Sequence, residues 1–238
     1  MLAGISVDYV TRLEQGRAVR PSAQVVDALA RTLRLSADER RHLLLLAGQP
    51  MPAADTVPGH LPVGVQRLMD RLTGTPIAVY DATWTLLTWN ALWAALVGDP
   101  GPLRGRDRNL LWRYFTGGGS RVEHPPGREE IVAAALVADL RAATGRYPGD
   151  ASLRALVRDL RTVSPQFAAW WDRGEVGRHQ SDTKSVRHPE LGPIALDCDV
   201  LTVEGSDLRI VAYTAEPGSV AADRLALLAV VGTQQFAG

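Results

Sequence analysis

The sequence of 238 residues contains one cysteine, Cys198, one lysine, Lys184, and two asparagines, Asn90 and Asn109. A single thiol rules out a disulfide within the chain and leaves a cysteine-based zinc site nothing to be built from. No apolar run approaches the roughly 20 residues of a membrane span; the longest, such as "IVAAALVADL", are broken by charge. The amino terminus lacks the basic segment and apolar stretch of a secretory signal, so a cytoplasmic location away from membranes is expected. Charge of one sign is missing too. The formal net charge is +0, which argues against a whole-molecule polyanion binder but leaves room for one basic patch. Catalytic signatures are equally scarce. There is no Gly-x-Ser-x-Gly elbow and no dinucleotide fingerprint, and "GGGS" at 117–120 lacks the lysine of a phosphate loop. His42, His60, His124 and His179 have no metal-ligand spacing. The expectation is a chain that is not an enzyme and carries neither metal nor cofactor.

What is present is an ordinary globular composition, 46% hydrophobic and 22% charged, long enough to bury a substantial core. Three helices are expected in residues 1–48. The first starts at the N-cap Ser6, with Asp8 in its first turn, and ends at Gly16. The second starts at Ser22 with a stripe of Val25, Val26, Leu29 and Leu33. The third opens with a capping box, Ser36 with Glu39, and stops at Gly48. Residues 49–62, "QPMPAADTVPGHLP", lack periodicity and read as a linker. A second domain then occupies 63–238. A helix at "VGVQRLMDRL" precedes two strands in "PIAVYDATWTLLTWN" joined by a turn at Asp81–Thr83, and "NALWAALVG" reads as a helix. Helices are expected at 127–143, at 151–161 and after Ser164. Three strands, "HQSDTKSVRHP", "GPIALDCDVLTV" and "LRIVAYTAEP", lead to a closing helix, "SVAADRLALLAVV". The fold class expected is α+β: an all-α head, then a five-stranded antiparallel sheet with helices on one face.

Two groups of stretches resemble known families. Ala3, Gly4, Ile5 and Ser6, followed by Leu13, Glu14 and Gly16, resemble the second half of a phage-repressor-like helix-turn-helix. The stretches "PVGVQRLMDRLTGTP", "LLTWNALWAALVGDP", "RDRNLLWRYF", "TKSVRHPELG" and "AYTAEPGS" resemble, in the same order, the PAS-like ligand-binding domain of MmyB-like transcription regulators. The resemblance implies a bacterial regulator whose second domain binds a fatty acid such as myristate. It also implies a truncated head, because members of that family carry about two further helices before "LAGIS". DNA as a partner is therefore expected once those helices are supplied, and a homodimer is expected because repressor-type heads read paired half-sites. Two rival classes stand beside this one: a lipid-binding protein that has lost DNA binding, and a small-molecule enzyme on a PAS-like scaffold.

The residues that would carry these roles have plainer alternatives. Ser6, Val7, Asp8 and Arg12 match base- and phosphate-facing positions of a reading helix, and Arg17 could reach a phosphate; the alternative is a solvated amphipathic helix. Arg108 and Asn109 would hold a ligand carboxylate, since a guanidinium offers a fork of donors and an amide adds another; the alternative is a helix cap beside a surface arginine. Asn90 reads as an N-cap that could also face a pocket. The tryptophans, Trp89, Trp93 and Trp112 among them, together with Tyr114, suit either a plain core or the wall of an apolar ligand site. His188, in the turn "RHPELG", is a candidate ligand contact. Asp197 and Asp199 share one strand face, which reads as solvated rather than as a metal site.

Overall fold

The computed structural model describes residues 4–49, 56–174 and 182–235. The chain divides into two compact units, Met1–Ala53 and Ala54–Gly238. The upstream end of the strand expected from His179, and His179 itself, lie outside the described residues.

The first unit holds three helices, α1 (Val7–Glu14), α2 (Ala23–Thr32) and α3 (Ala37–Leu46). Each begins where a serine oxygen can accept an otherwise unpaired amide: Ser6 takes Tyr9 N, Ser22 takes Val25 N and Ser36 takes Glu39 N. The capping box closes fully, with Ser36 N donating to Glu39 Oε2 at 2.8 Å. Gly16 leaves α1 at φ +68°, a left-handed position that costs glycine nothing. Helices α2 and α3 pack through Val26, Leu44 and Ala47, and Arg40 Nη2 reaches Asp27 Oδ1 across them at 2.8 Å. Of the expected α2 stripe, Val26 is buried while Leu33 is 64% exposed. Helix α1 has no buried residue.

The second unit is built on a sheet. Helix α4 (Val63–Arg71) precedes the hairpin of β1 (Ile77–Tyr80) and β2 (Leu86–Trp89). There follow α5 (Ala91–Val97), a 3-10 turn (Gly105–Arg108), α6 (Leu110–Thr116) and β3 (Val122–Glu123). Helices α7 (Glu129–Arg146), α8 (Ala151–Val163) and α9 (Pro165–Arg173) lead to β4 (Asp182–His188), β5 (Gly192–Val203), β6 (Leu208–Thr214) and α10 (Val220–Gln235). The strands run in the order β2-β1-β6-β5-β4-β3, antiparallel at every junction. The architecture is α+β, with two corrections to the expectation. The sheet has six strands rather than five, because Val122 and Glu123 pair with Val186 and Ser185; two residues between glycines and prolines are too few to show a period of two. Helices also cover both faces. Most pack on Ala78, Tyr80, Val211 and Tyr213, but α4 lays Val65 and Met69 on the opposite face, over Ile77, Val79, Leu208 and Ile210. Strand β1 is buried at every position for that reason, as a strand covered on both sides must be.

The larger core joins α5–α10 to the sheet through Trp84, Leu111, Leu136, Leu140, Leu160 and Phe167. One polar network crosses it. Trp84, at φ +63°, donates Nε1–H to Asp139 Oδ2 at 2.9 Å, and Arg209 Nε lies 3.1 Å from the same oxygen. Arg209 also stacks over the Trp84 ring and donates to the Asp81 carbonyl. This ties α7 to the β1–β2 turn and β6. Nothing in the sequence singles out Asp139, which reads as one polar break in an apolar helix. No helix of the described residues is long and apolar enough to cross a membrane.

Candidate ligand and DNA sites

The two asparagines hold the frame of the candidate ligand site. Asn90 caps α5, its Oδ1 accepting from Trp93 N at 2.9 Å and from Ile77 N at 3.1 Å. Its amide donates to the carbonyls of Leu72 and Thr75, so every bond that an asparagine side chain can make is made. Asn109 is buried and caps α6 through Trp112 N at 3.0 Å. Its two amide protons go to Thr83 O at 2.8 Å and Thr85 Oγ1 at 3.1 Å. Asn109 therefore fastens α6 to the β1–β2 turn, a fastening extended by Leu110 N donating to Trp84 O.

Arg108, next to this anchor, is a half-buried cation short of acceptors. Its Nη2 lies 3.5 Å from Leu87 O, its guanidinium sits 5.5 Å from the centre of the Trp89 ring, and its buried Nε has no hydrogen-bond partner. The neighbouring Arg106 is satisfied, with Nη2 2.6 Å from Asp159 Oδ2 and its guanidinium 6.0 Å from the Trp112 ring. Arg106 and Asn109, with Thr85, Gly105, Ser152 and Ala155, line an open cleft of about 310 Å³.

The remaining expected residues do not converge on one point. Trp93 is buried and stacks on Tyr213 at 5.2 Å. Trp112 and Tyr114 are half-buried on α6, Tyr114 donating its hydroxyl to Glu129 O. His188 closes the β4–β5 turn, its Nδ1 accepting from Glu190 N and Leu191 N; burial, and then the charge of Arg121, push its pKa down. Asp197 faces out and accepts from Thr183 Oγ1, and no group of residues suited to holding a metal occurs among the described residues. Reading the sequence for sites missed the inner-face set of Tyr80, Cys198 and Tyr213, all buried. Alternation along β5 and β6 was the available signal for Cys198 and Tyr213, and β1 offered none for Tyr80.

On the first unit, Ser6, Val7, Asp8, Arg12 and Arg17 are all exposed, Val7 at 71%. They lie along α1 and just beyond its end, with the Ser6 hydroxyl engaged in capping.

A model described as the MmyB-like transcription regulator ligand binding domain matches residues 61–228, and a helix-turn-helix domain model matches residues 1–43. Among the curated proteins, no relative matches the chain. With most of its length covered by the first of these models, the chain belongs to the MmyB-like transcription regulators: it joins a helix-turn-helix to a ligand-binding domain.

Proposed function

We propose that the second domain senses a fatty acid or similar apolar carboxylate, and that Arg108 is its carboxylate anchor. The observation that carries this reading is the buried Nε of Arg108, which has no acceptor. Leaving a buried donor unsatisfied costs about 1–3 kcal/mol, more for a charged group, and a carboxylate matches the guanidinium fork. Trp89 gives the anchor an apolar floor, and Trp112 lies beyond it in the first turn of α6. Asn109 acts by holding α6 and Arg108 against the β1–β2 turn rather than by donating to the ligand. Trp93, Asn90 and His188 shape the α5 side of the domain. Each methylene that leaves water adds roughly 0.8 kcal/mol, which favours long chains such as myristate.

In this reading α1 reads DNA through the base- and phosphate-facing positions Ser6, Val7, Asp8 and Arg12, with Val7 against a thymine methyl, Arg12 at a guanine edge or phosphate, and Arg17 at a phosphate. The regulator works as a homodimer on paired half-sites. Ligand acts through its different affinity for two states of the sensor, which shifts the population of the DNA-binding state.

The test is a double cycle by calorimetry. Arg108→Ala is expected to weaken binding of the acid by about 2–5 kcal/mol, the cost of removing one partner of a buried charged pair. The neutral methyl ester is expected to bind the parent protein more weakly than the acid does, and the Arg108 variant about as well. Equal affinity of acid and ester for the parent protein removes Arg108 from the site.

A further inference from the structure

The only lysine of the sequence lies on the inner, helix-covered face of the sheet. Along β4, Val186 and His188 are buried and alternate with exposed Arg187, so Lys184 shares their face; it is half-buried there. Strand β3 pairs Val122 with Val186 and Glu123 with Ser185. His124 follows directly after β3 and lies close enough to Lys184 to feel its charge. On the other side, β4–β5 pairing brings Cys198 opposite Asp182, one diagonal step from Lys184.

Two features of this cluster are unresolved within the protein. The Nδ1 of His124 is buried and has no hydrogen-bond partner. No ion pair to Lys184 occurs among the described residues; its Nζ instead lies within hydrogen-bonding reach of Cys198. Of the acids beside the cluster, Asp182 Oδ2 is 4.0 Å from Arg128 Nε, Glu129 Oε2 accepts Gly127 N at 3.0 Å, and Asp199 flanks Cys198 on β5. The Tyr114 ring, 6.2 Å from His124, walls the cluster on the α6 side. Burial first, and then Lys184, push the His124 pKa down, which leaves its ring a neutral partner with one N–H to donate.

We propose that Lys184 and His124 form a carboxylate-binding subsite on the inner face of the sheet, separate from Arg108. The ammonium supplies the charge, the imidazole one hydrogen bond and Tyr114 an apolar wall. The carboxylate belongs to a second small acid, since the head of the long-chain ligand is placed at Arg108. The inference shares with the proposed function only that the ligand is an acid, and its test reads Lys184 directly.

Because Lys184 is the only lysine, reductive ¹³C-methylation of the whole chain labels one side chain besides the terminal amine, and keeps its charge. Hexanoate is expected to shift the Lys184 methyl signal saturably, whereas methyl hexanoate leaves it in place. Lys184→Met and His124→Phe, each checked for native circular dichroism, are expected to bind hexanoate at least tenfold and about fivefold more weakly by calorimetry. If the hexanoate response persists under saturating myristate, the subsite holds a second small acid; if myristate abolishes it, the group belongs to the long-chain site and the separate subsite is overturned. Repeating the titration in Arg108→Ala keeps the two sites apart, since the Lys184 response is expected to survive there. No saturable shift with either acid, or an equal shift with the ester, overturns the subsite whatever Arg108 does.

Discussion

The two units of this chain use the same local devices and reach different kinds of stability. Every helix of the head has a serine cap, and the sensor caps α5, α6, α8 and α9 with Asn90, Asn109, Asp150 and Ser164. The sensor adds a continuous core from Trp84 to Phe167 and on to Tyr213. The head core consists of Val26, Leu44 and Ala47, with Leu43 beside it. Capping contributes about 1 kcal/mol per helix, whereas a fully buried large apolar side chain contributes about 1.5–3 kcal/mol. A unit with few such side chains leans more on its termini than one with many. The sensor can tolerate the unpartnered, buried Nε of Arg108 because the core around it supplies the surplus.

The strongest way to break that contrast is to open the sensor core. Phe167 is fully buried and meets Phe115 at 5.2 Å and Trp171 at 5.6 Å. Phe167→Ala is expected to destabilise the sensor by about 3–5 kcal/mol, measured by urea denaturation. The head is expected to keep its own, separate transition. A loss under 1 kcal/mol means that the core is looser than its burial indicates.

A smaller effect sharpens the comparison by matching cap against cap. Asn109→Ala leaves the buried Thr83 O and the part-buried Trp112 N without their side-chain partner, while Thr85 Oγ1 keeps Thr83 Oγ1, and is expected to cost about 1–3 kcal/mol. Ser36→Ala removes an exposed cap in the head and is expected to cost about 1 kcal/mol. Hydrogen exchange locates each loss: α6 and the β1–β2 turn in the first case, α3 in the second. Equal costs dissolve the distinction between a cap that joins elements and one that ends a helix.

Much of this was legible in the sequence because it is local. Serine before an apolar periodic run marks a helix start at Ser6, Ser22, Ser36 and Ser164, and alternation marks β5 and β6. Asn90 read as a cap, and a cap was the alternative to ligand binding at Asn109. What neither composition nor period carries is the partner across the fold. The amide of Asn109 is directed by Thr83 and Thr85, 26 and 24 positions away. Asp139 acquires its role from Trp84 and Arg209, and β3 exists only because β4 offers an edge to two residues. The side covered by α4 was hidden for the same reason, since β1 is apolar on both faces and shows no alternation. The closeness of Lys184 to His124 needed the β3–β4 register before either residue could be placed.

The smallest expected effect is one of pH, and it sits in the β1–β2 turn. Asp81 Oδ1 accepts from Thr83 N at 2.8 Å, Thr83 Oγ1 at 2.7 Å and Thr85 N at 2.9 Å. Burial pushes its pKa up more than these bonds and Arg209 pull it down. The fold therefore binds this proton more tightly than the unfolded chain, where an aspartate titrates near about 3.9. Stability from this group is complete below that value and falls as pH rises through the raised folded pKa. Asp207 behaves oppositely: burial alone would raise it, but hydrogen bonds from Arg146 and Tyr147 outweigh burial and hold it below the usual range. Its contribution is present above about 3.9 and is lost as pH falls through its folded value. In Asp81→Asn the amide oxygen still accepts the three bonds and nothing titrates. Relative to the parent protein, the variant is expected to gain stability as pH rises from 4 toward 7, read as the difference in urea midpoint at each pH. The acid loss assigned to Asp207 is expected to remain in both proteins. A difference that stays flat from pH 4 to 7 means that Asp81 is ionised throughout, and that the three hydrogen bonds outweigh its burial after all.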